Sequence, residues 1–141
     1  MLSALFLATV IGISDGDTIT VLKENKQQVK IRLSEIDAPE KRQPFGAKSK
    51  QSLSDLCFGK KAEVRPRVKD RYGRIVARVN CAGVDANAEQ VNRGMAWVYR
   101  QYAKDHNLFA LQHEARRFKR GLWSEPSPTP PWEWRKRLRQ I

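Results

Sequence analysis

A chain of 141 residues, 40% hydrophobic and 30% charged, is sized for a single domain that buries about two thirds of the surface its unfolded form exposes. No apolar run approaches the roughly 18 residues that a membrane-spanning helix requires, so a membrane is not an expected partner. The formal net charge of +12 belongs most often to a protein that meets a polyanion.

In chain order, residues 1–8 form an apolar run without the positive charge that opens a signal peptide. We read them as a signal remnant, the alternative being that they begin the first strand. Residues 9–13 and 18–22 are β-branched, alternating runs split by Ser14, Asp15 and Gly16, which predicts strand, turn, strand. After a second turn at residues 24–26, Val29, Ile31 and Leu33 share one face and Lys30 and Arg32 the other, so Arg32 projects away from the packed side. Residues 45–58 carry Leu53, Leu56 and Cys57 at loose helical spacing, closed by Gly59. Residues 62–68 and 74–81 are two more strands; Pro66 marks an edge or a bulge in the first, and Asp70, Arg71, Tyr72 and Gly73 form a charged turn between them. Residues 85–93, ended by Gly94, make a short helix, and residues 105–120, ended by Gly121, a longer one striped by Leu108, Leu111, Ala115 and Phe118. Four prolines at positions 126, 128, 130 and 131 then take the chain out of the domain as a stiff segment.

This order of elements predicts an α+β domain over residues 9–123, built on a five-stranded β-barrel with three helices. We expect the barrel to be of the OB-fold type, one of several five-stranded barrels that spacing alone allows. Residues 124–141 form a Pro-rich, then basic and aromatic tail that either extends a nucleic-acid footprint or folds back onto the domain. Cys57 and Cys81 are too few and too far apart for a paired-cysteine zinc site. They either form a disulfide, closing a loop of about 25 residues and contributing about 3 kcal/mol on the chain-entropy model, or remain buried thiols.

Charge is distributed unevenly. Residues 1–40 hold four basic and six acidic side chains, a local charge of −2 that leaves +14 on the rest of the chain. Carboxylates gathered in one corner of a basic protein suggest a cation site set in a phosphate-attracting surface; scattered surface charge is the plainer alternative.

Three segments carry the chemistry: residues 15–18 (Asp15, Gly16, Asp17, Thr18), residues 32–40 from Arg32 to Glu40, and residues 70–74 from Asp70 to Arg74. With Val84 to Asn87, Gly94 to Tyr99, and Gly121 to Trp123, they make the chain resemble the staphylococcal (micrococcal) nuclease family over residues 9–123. The resemblance implies an OB-fold nuclease that binds one Ca2+ and hydrolyses DNA and RNA with little sequence specificity, leaving 3′-phosphate ends. Asp17 and Asp37 fall on the family's metal-binding carboxylates and Ala38 on the position that offers its main-chain carbonyl; the family often has threonine there, a change that leaves the carbonyl in place. Glu40 falls on the proposed general base, and Arg32 and Arg74 fall on the phosphate-binding arginines. Glu35 has no such counterpart. Arg71, standing where the family often has lysine, Tyr72 and Tyr102 are candidates for holding the substrate, the tyrosines being alternatively half-buried packing residues. Trp97 and Trp123 are expected in the core, and His106 and His113 on the surface.

The residue types support the same chemistry independently. A hard divalent cation takes six to eight oxygen ligands, which two carboxylates, a carbonyl and waters supply without histidine or cysteine. Two bare carboxylates about 4 Å apart repel by roughly 4 kcal/mol at an effective dielectric of 20, so Asp17 and Asp37, if adjacent, require a metal or a proton; otherwise each simply caps a turn. A guanidinium matches phosphoryl oxygens bidentately, as an ammonium does not. The alternatives to a nuclease are a non-catalytic nucleic-acid-binding module, against which Asp17, Asp37 and Glu40 argue, and a plasmid- or transfer-associated DNA-processing enzyme with the same chemistry. We further expect a monomer, secreted or periplasmic.

Overall fold

The computed structural model describes residues 4–140, so the first three residues of the N-terminal apolar segment lie outside it. In chain order the elements are β1 (Phe6–Asp15), β2 (Thr18–Lys23), β3 (Gln28–Leu33), β4 (Ile36–Asp37), α1 (Gly46–Cys57), β5 (Lys61–Lys69), β6 (Ile75–Cys81), β7 (Val84–Asp85), α2 (Ala86–Asn92), β8 (Trp97–Val98), α3 (His106–Arg117), a 3₁₀ turn (Gly121–Ser124) and α4 (Pro131–Arg139).

Strands β3, β2, β1, β5 and β6 are hydrogen-bonded in that order, and a parallel pairing of β3 with β6 closes them into a barrel. Period-two alternation builds it: Val10, Ile19, Val21, Ile31, Leu33, Val64, Ala77 and Val79 turn inward and are fully buried. The register of β1 with β2 shifts between Val10 and Gly12, a bulge that bends β1 so that its first half also pairs with β5. Of the edge or bulge that Pro66 marks, the structure has the bulge: the β5–β6 register shifts between Pro66 and Val68. Helix α1 covers β1 with Leu53, Leu56 and Cys57. Its last turn is bonded to β6 by the disulfide Cys57–Cys81, with Cα atoms 5.2 Å apart. Asp85 and Asp105 cap α2 and α3, each accepting a backbone N–H from its first turn.

The outcome is an α+β fold on a closed five-stranded barrel, with four α-helices where three were expected. Two alternatives that the sequence leaves open are decided, each with a clear physical cause. Strand β1 begins at Phe6, within the apolar run, because Phe6 to Thr9 find partners in Val64 to Lys61. The proline-rich segment does not carry the chain away. Pro131 opens α4 at a position where a missing N–H costs nothing, and the helix folds back onto the domain. There the Trp132 ring stacks on Tyr99 at a 5.4 Å centroid separation and meets Trp97 edge-on at 5.6 Å. Trp123 is buried in a small second core with Ala115 and Leu122, against which Phe45 and the partly buried Trp97 pack. Both histidines lie exposed on α3. Among the described residues no helix is long and apolar enough to cross a membrane.

Candidate active site

The site begins at the β1–β2 turn. Gly16 is there because nothing larger fits: a Cβ at this position would overlap the Ser49 hydroxyl and crowd the Ala38 methyl. The turn is held from α2 by Gln90, fully buried, whose Nε2 donates to the Gly16 carbonyl at 2.8 Å. This fixes Asp15 and Asp17. Asp15 accepts the Asp17 backbone N–H at 3.1 Å. The buried Asp17 carboxylate accepts from Thr18 Oγ1 at 3.0 Å and from the Ala38 backbone N–H at 2.8 Å. That last bond joins the two acidic segments across 21 residues of sequence.

The second segment follows β3. Arg32 leaves the barrel on the outer face, as the alternation predicts, but then folds over its own loop. Its Nη1 donates to the Leu33 and Ile36 carbonyls at 2.6 and 2.9 Å. Its Nη2 faces Asp37 Oδ1 at 3.3 Å and Asp17 Oδ2 at 3.4 Å. Two carboxylates from separate stretches of chain therefore meet one guanidinium nitrogen.

A second guanidinium completes the cluster. Arg135 of α4 grips Asp37 bidentately, Nη2 to Oδ2 at 2.7 Å and Nη1 to Oδ1 at 3.1 Å, and the same Nη1 reaches Glu40 Oε1 at 2.6 Å. Glu40 is itself seated at its backbone. Its N–H donates to Gln43 Oε1 at 3.0 Å, and Gln43 Nε2 donates to the Thr129 carbonyl at 2.6 Å. The Glu40 carbonyl lies where a Cβ on Gly46 would fall, so that glycine too is required by close approach.

Of the remaining expected residues Ala38 belongs to this cluster, while Arg71, Tyr72, Arg74 and Tyr102 make their contacts elsewhere. Arg74 immediately precedes β6, two residues before Val76, which stands opposite Arg32 in the parallel pairing of β3 with β6. Its guanidinium is turned to Asp70, with Nε donating to Oδ2 at 2.7 Å, and lies over the Tyr72 ring at 5.4 Å. Arg71 also covers Tyr72, at 5.1 Å, and donates to its hydroxyl at 2.9 Å. Tyr72 is 68% exposed and Tyr102 59%, so neither is a packing residue, although Tyr102 meets Tyr99 edge-on at 4.9 Å. The Ala38 backbone is tied to Asp17 through its N–H.

Sequence reasoning missed three supporting residues as well as Arg135. Glu35, left without a role, is buried at a backbone φ of +68°. Its carboxylate accepts the Lys104 and Asp105 N–H groups at 2.7 and 2.9 Å and pairs with Arg78 and Arg67. It clamps the loop before α3 onto the segment that carries Asp37. Asn87, fully buried, donates to the Ser34 carbonyl at 2.9 Å and accepts the Val79 N–H at 3.0 Å, locking that segment to β6. Gln90 performs the same task for the first turn. Asn87 and Glu35 lie within the motifs that carry the resemblance, whereas Gln90 lies outside them.

The electrostatics follow from burial among few cations. Burial and the neighbouring Asp17 charge push the Asp15 carboxyl up to about 7. Burial likewise raises Asp37 above the usual carboxylate range, more than its contacts with Arg135 and Arg32 lower it. Asp17 goes the other way: burial penalises its charge, but Arg32, with hydrogen bonds from Asp15, the Ala38 N–H and Thr18, holds it below the ordinary value. For Arg135, burial is outweighed by its bonds to Asp37 and Glu40, and its proton is held more tightly than usual.

This donor set fits a hard cation. Every candidate ligand atom is oxygen, the two carboxylates converge, and the charge that holds them together is supplied by guanidinium groups. No cluster of three or more His, Cys, Asp or Glu side chains forms a metal cage among the described residues. A hard cation held by two carboxylates, with carbonyl and water oxygens completing its shell, needs none. Each carboxylate offers about four lone-pair positions, so its bonds to arginine and amide do not exhaust it.

Comparison with known proteins identifies relatives of the chain. Residues 30–125 match the family model described as staphylococcal nuclease homologue. The chain is 47% identical to an uncharacterized endonuclease of Escherichia coli over 129 residues, 91% of this chain and 84% of that protein. It is 45% identical to an uncharacterized endonuclease of Haemophilus influenzae over 127 residues, 90% of this chain and 71% of that protein. A micrococcal nuclease of Shigella flexneri is 42% identical over 142 residues, covering 93% of this chain and 81% of that protein.

Proposed function

The chain belongs to the staphylococcal nuclease family, and from that premise we propose that it is a Ca2+-dependent nuclease that hydrolyses phosphodiester bonds of DNA and RNA with little sequence preference, leaving 3′-phosphate ends. The observation that carries the reading is the meeting of Asp17 and Asp37, from two segments of chain, at one nitrogen of Arg32.

The work divides among the residues by their chemistry. Asp17, Asp37 and the Ala38 carbonyl would hold the ion; when bound, it would neutralise charge on the phosphoryl group and polarise water. Glu40, about one third exposed, takes the proton from the attacking water or orients it. Arg32 holds a phosphoryl oxygen as negative charge grows on it. Arg74 makes a second guanidinium contact once its side chain exchanges Asp70 for phosphate. Tyr72, flanked by Arg71 and Arg74, and Tyr102 offer exposed rings on which bases stack without regard to sequence. We place the enzyme in a secreted or periplasmic setting, a reading supported by its disulfide, and take it to act as a monomer.

The test is incubation with single-stranded DNA and Ca2+, with and without a chelator, beside Asp37→Ala and Arg32→Ala. We expect cleavage that the chelator abolishes, loss of activity in Asp37→Ala, and a fall in turnover of about 10² to 10³ in Arg32→Ala, by analogy with an oxyanion-hole donor. DNA that is retarded but left whole by the wild-type protein would make this a binding module instead.

A further inference from the structure

The contact between α4 and the carboxylates has no place in the division of labour above. Arg135 is about one third exposed, so it is reachable by water yet committed on its inner side to two acids. Its Nη1 is shared between Asp37 Oδ1 and Glu40 Oε1. Glu40, whose carboxylate would otherwise be repelled by Asp37, has this guanidinium as the recorded partner of its side chain among the described residues. The tail secures the same residue a second time, at the backbone, through Gln43 and the Thr129 carbonyl. These two ties flank the start of α4, and the helix between them is anchored by the stacking of Trp132 on Tyr99 and its edge contact with Trp97. A guanidinium presented by a docked helix imposes an orientation on a carboxylate that a mobile side chain would not.

We propose that Arg135 is a positioning residue for hydrolysis: it draws the Glu40 carboxylate in beside Asp37 and fixes its orientation toward the water that attacks the phosphodiester. Asp37 keeps lone pairs free for a cation while bound to Arg135, so the ion and the guanidinium occupy the site together. The proposal rests on the assignment of Glu40 as the residue acting on that water. A displacement of about 1 Å in such a group costs on the order of 10² in rate.

The experiment is a double-mutant cycle in the full chain, with kcat and KM measured on single-stranded DNA at saturating Ca2+ for the wild type, Arg135→Ala, Arg135→Lys, Glu40→Gln and Arg135→Ala with Glu40→Gln. Ca2+ binding without substrate is followed by calorimetry, and the near-ultraviolet signal of the tryptophans reports docking of α4. We expect Arg135→Ala to lower kcat by about 10² with KM changed by less than about threefold, and Arg135→Lys to recover part of the loss. In the Glu40→Gln background the further loss shrinks to less than about threefold, since the two residues act as one unit. Ca2+ affinity stays level or falls. An equal loss in both backgrounds overturns the proposal and leaves the role of Glu40 intact, whereas full activity in Glu40→Gln removes that role and the proposal with it, the chain remaining a nuclease. Tighter Ca2+ binding with faster turnover in Arg135→Ala also overturns it, making Arg135 a competitor of the ion. If α4 detaches in Arg135→Ala, the kcat of a docked Arg135→Lys decides: wild-type turnover in a variant unable to bridge both acids refutes the assignment.

Discussion

Gly16 leaves no room for a side chain between Ser49 and Ala38, and that one fact constrains the whole acidic turn. Gly16→Ala must push Ser49 aside or move the turn; overpacking of this kind costs about 1–3 kcal/mol, and the displacement reaches Asp17 directly. We expect a lower urea midpoint together with weaker Ca2+ binding, measured by denaturation and calorimetry; an unchanged Ca2+ affinity would mean that the turn tolerates the shift. At this scale Asp17, Asp37, Arg32 and Glu40 were legible because the chemistry names its residue types and the spacing matches a known pattern. Arg135 was not, because its partner Glu40 lies 95 residues away, and one arginine in a basic tail has no local signal that marks it as paired. Glu35 was passed over for a related reason: a buried acid and an exposed one read alike until the backbone amides it accepts are known.

The helices show where element-level reasoning holds and where it fails. Helix α3 was legible from its apolar stripe, with Asp105 at its start and Gly121 beyond its end, and Asp105 does more than cap it. The Asn107 backbone N–H, and then the Arg78 guanidinium, hold the Asp105 carboxyl below its ordinary value. Stability from this group is therefore present above the unfolded value near 3.8 and is lost as pH falls through the lower folded value. Asp105→Asn keeps the cap and removes the charge. We expect the urea-measured gap between wild type and Asp105→Asn to be largest at neutral pH and to close in strong acid, and a gap independent of pH would refute the linkage. Helix α4 was missed because proline was read as an exit signal. Pro130 is indeed extended, but Pro131 at the first turn favours a helix, and two tryptophans give that helix a face to bury. The same composition serves a linker or a docked helix; what decides is whether aromatic partners such as Tyr99 and Trp97 are waiting.

For the molecule as a whole, alternation and turn residues foretold the barrel, whereas the pairing of β3 with β6, more than 40 residues apart in sequence, is a tertiary fact that no local pattern encodes. The disulfide was one of two open readings, and it now ties α1 to the barrel wall with a sequence separation of 24. Its reduction is expected to cost about 3 kcal/mol on the chain-entropy model, visible as a fall in the denaturation midpoint on adding reductant, while the carboxylate cluster stays in place. No shift of the midpoint would mean that the cross-link constrains nothing the unfolded chain explores. The parallel seam has a kinetic corollary. Arg32 and Arg74 stand on opposite sides of it, so a partly folded chain holds two half-built grips on phosphate that cannot work in concert. Long-range pairings of this kind zip up late, and regain of turnover during refolding should therefore trail the early optical signals of hairpin formation, making hydrolysis itself a stopwatch for the last joint of the barrel.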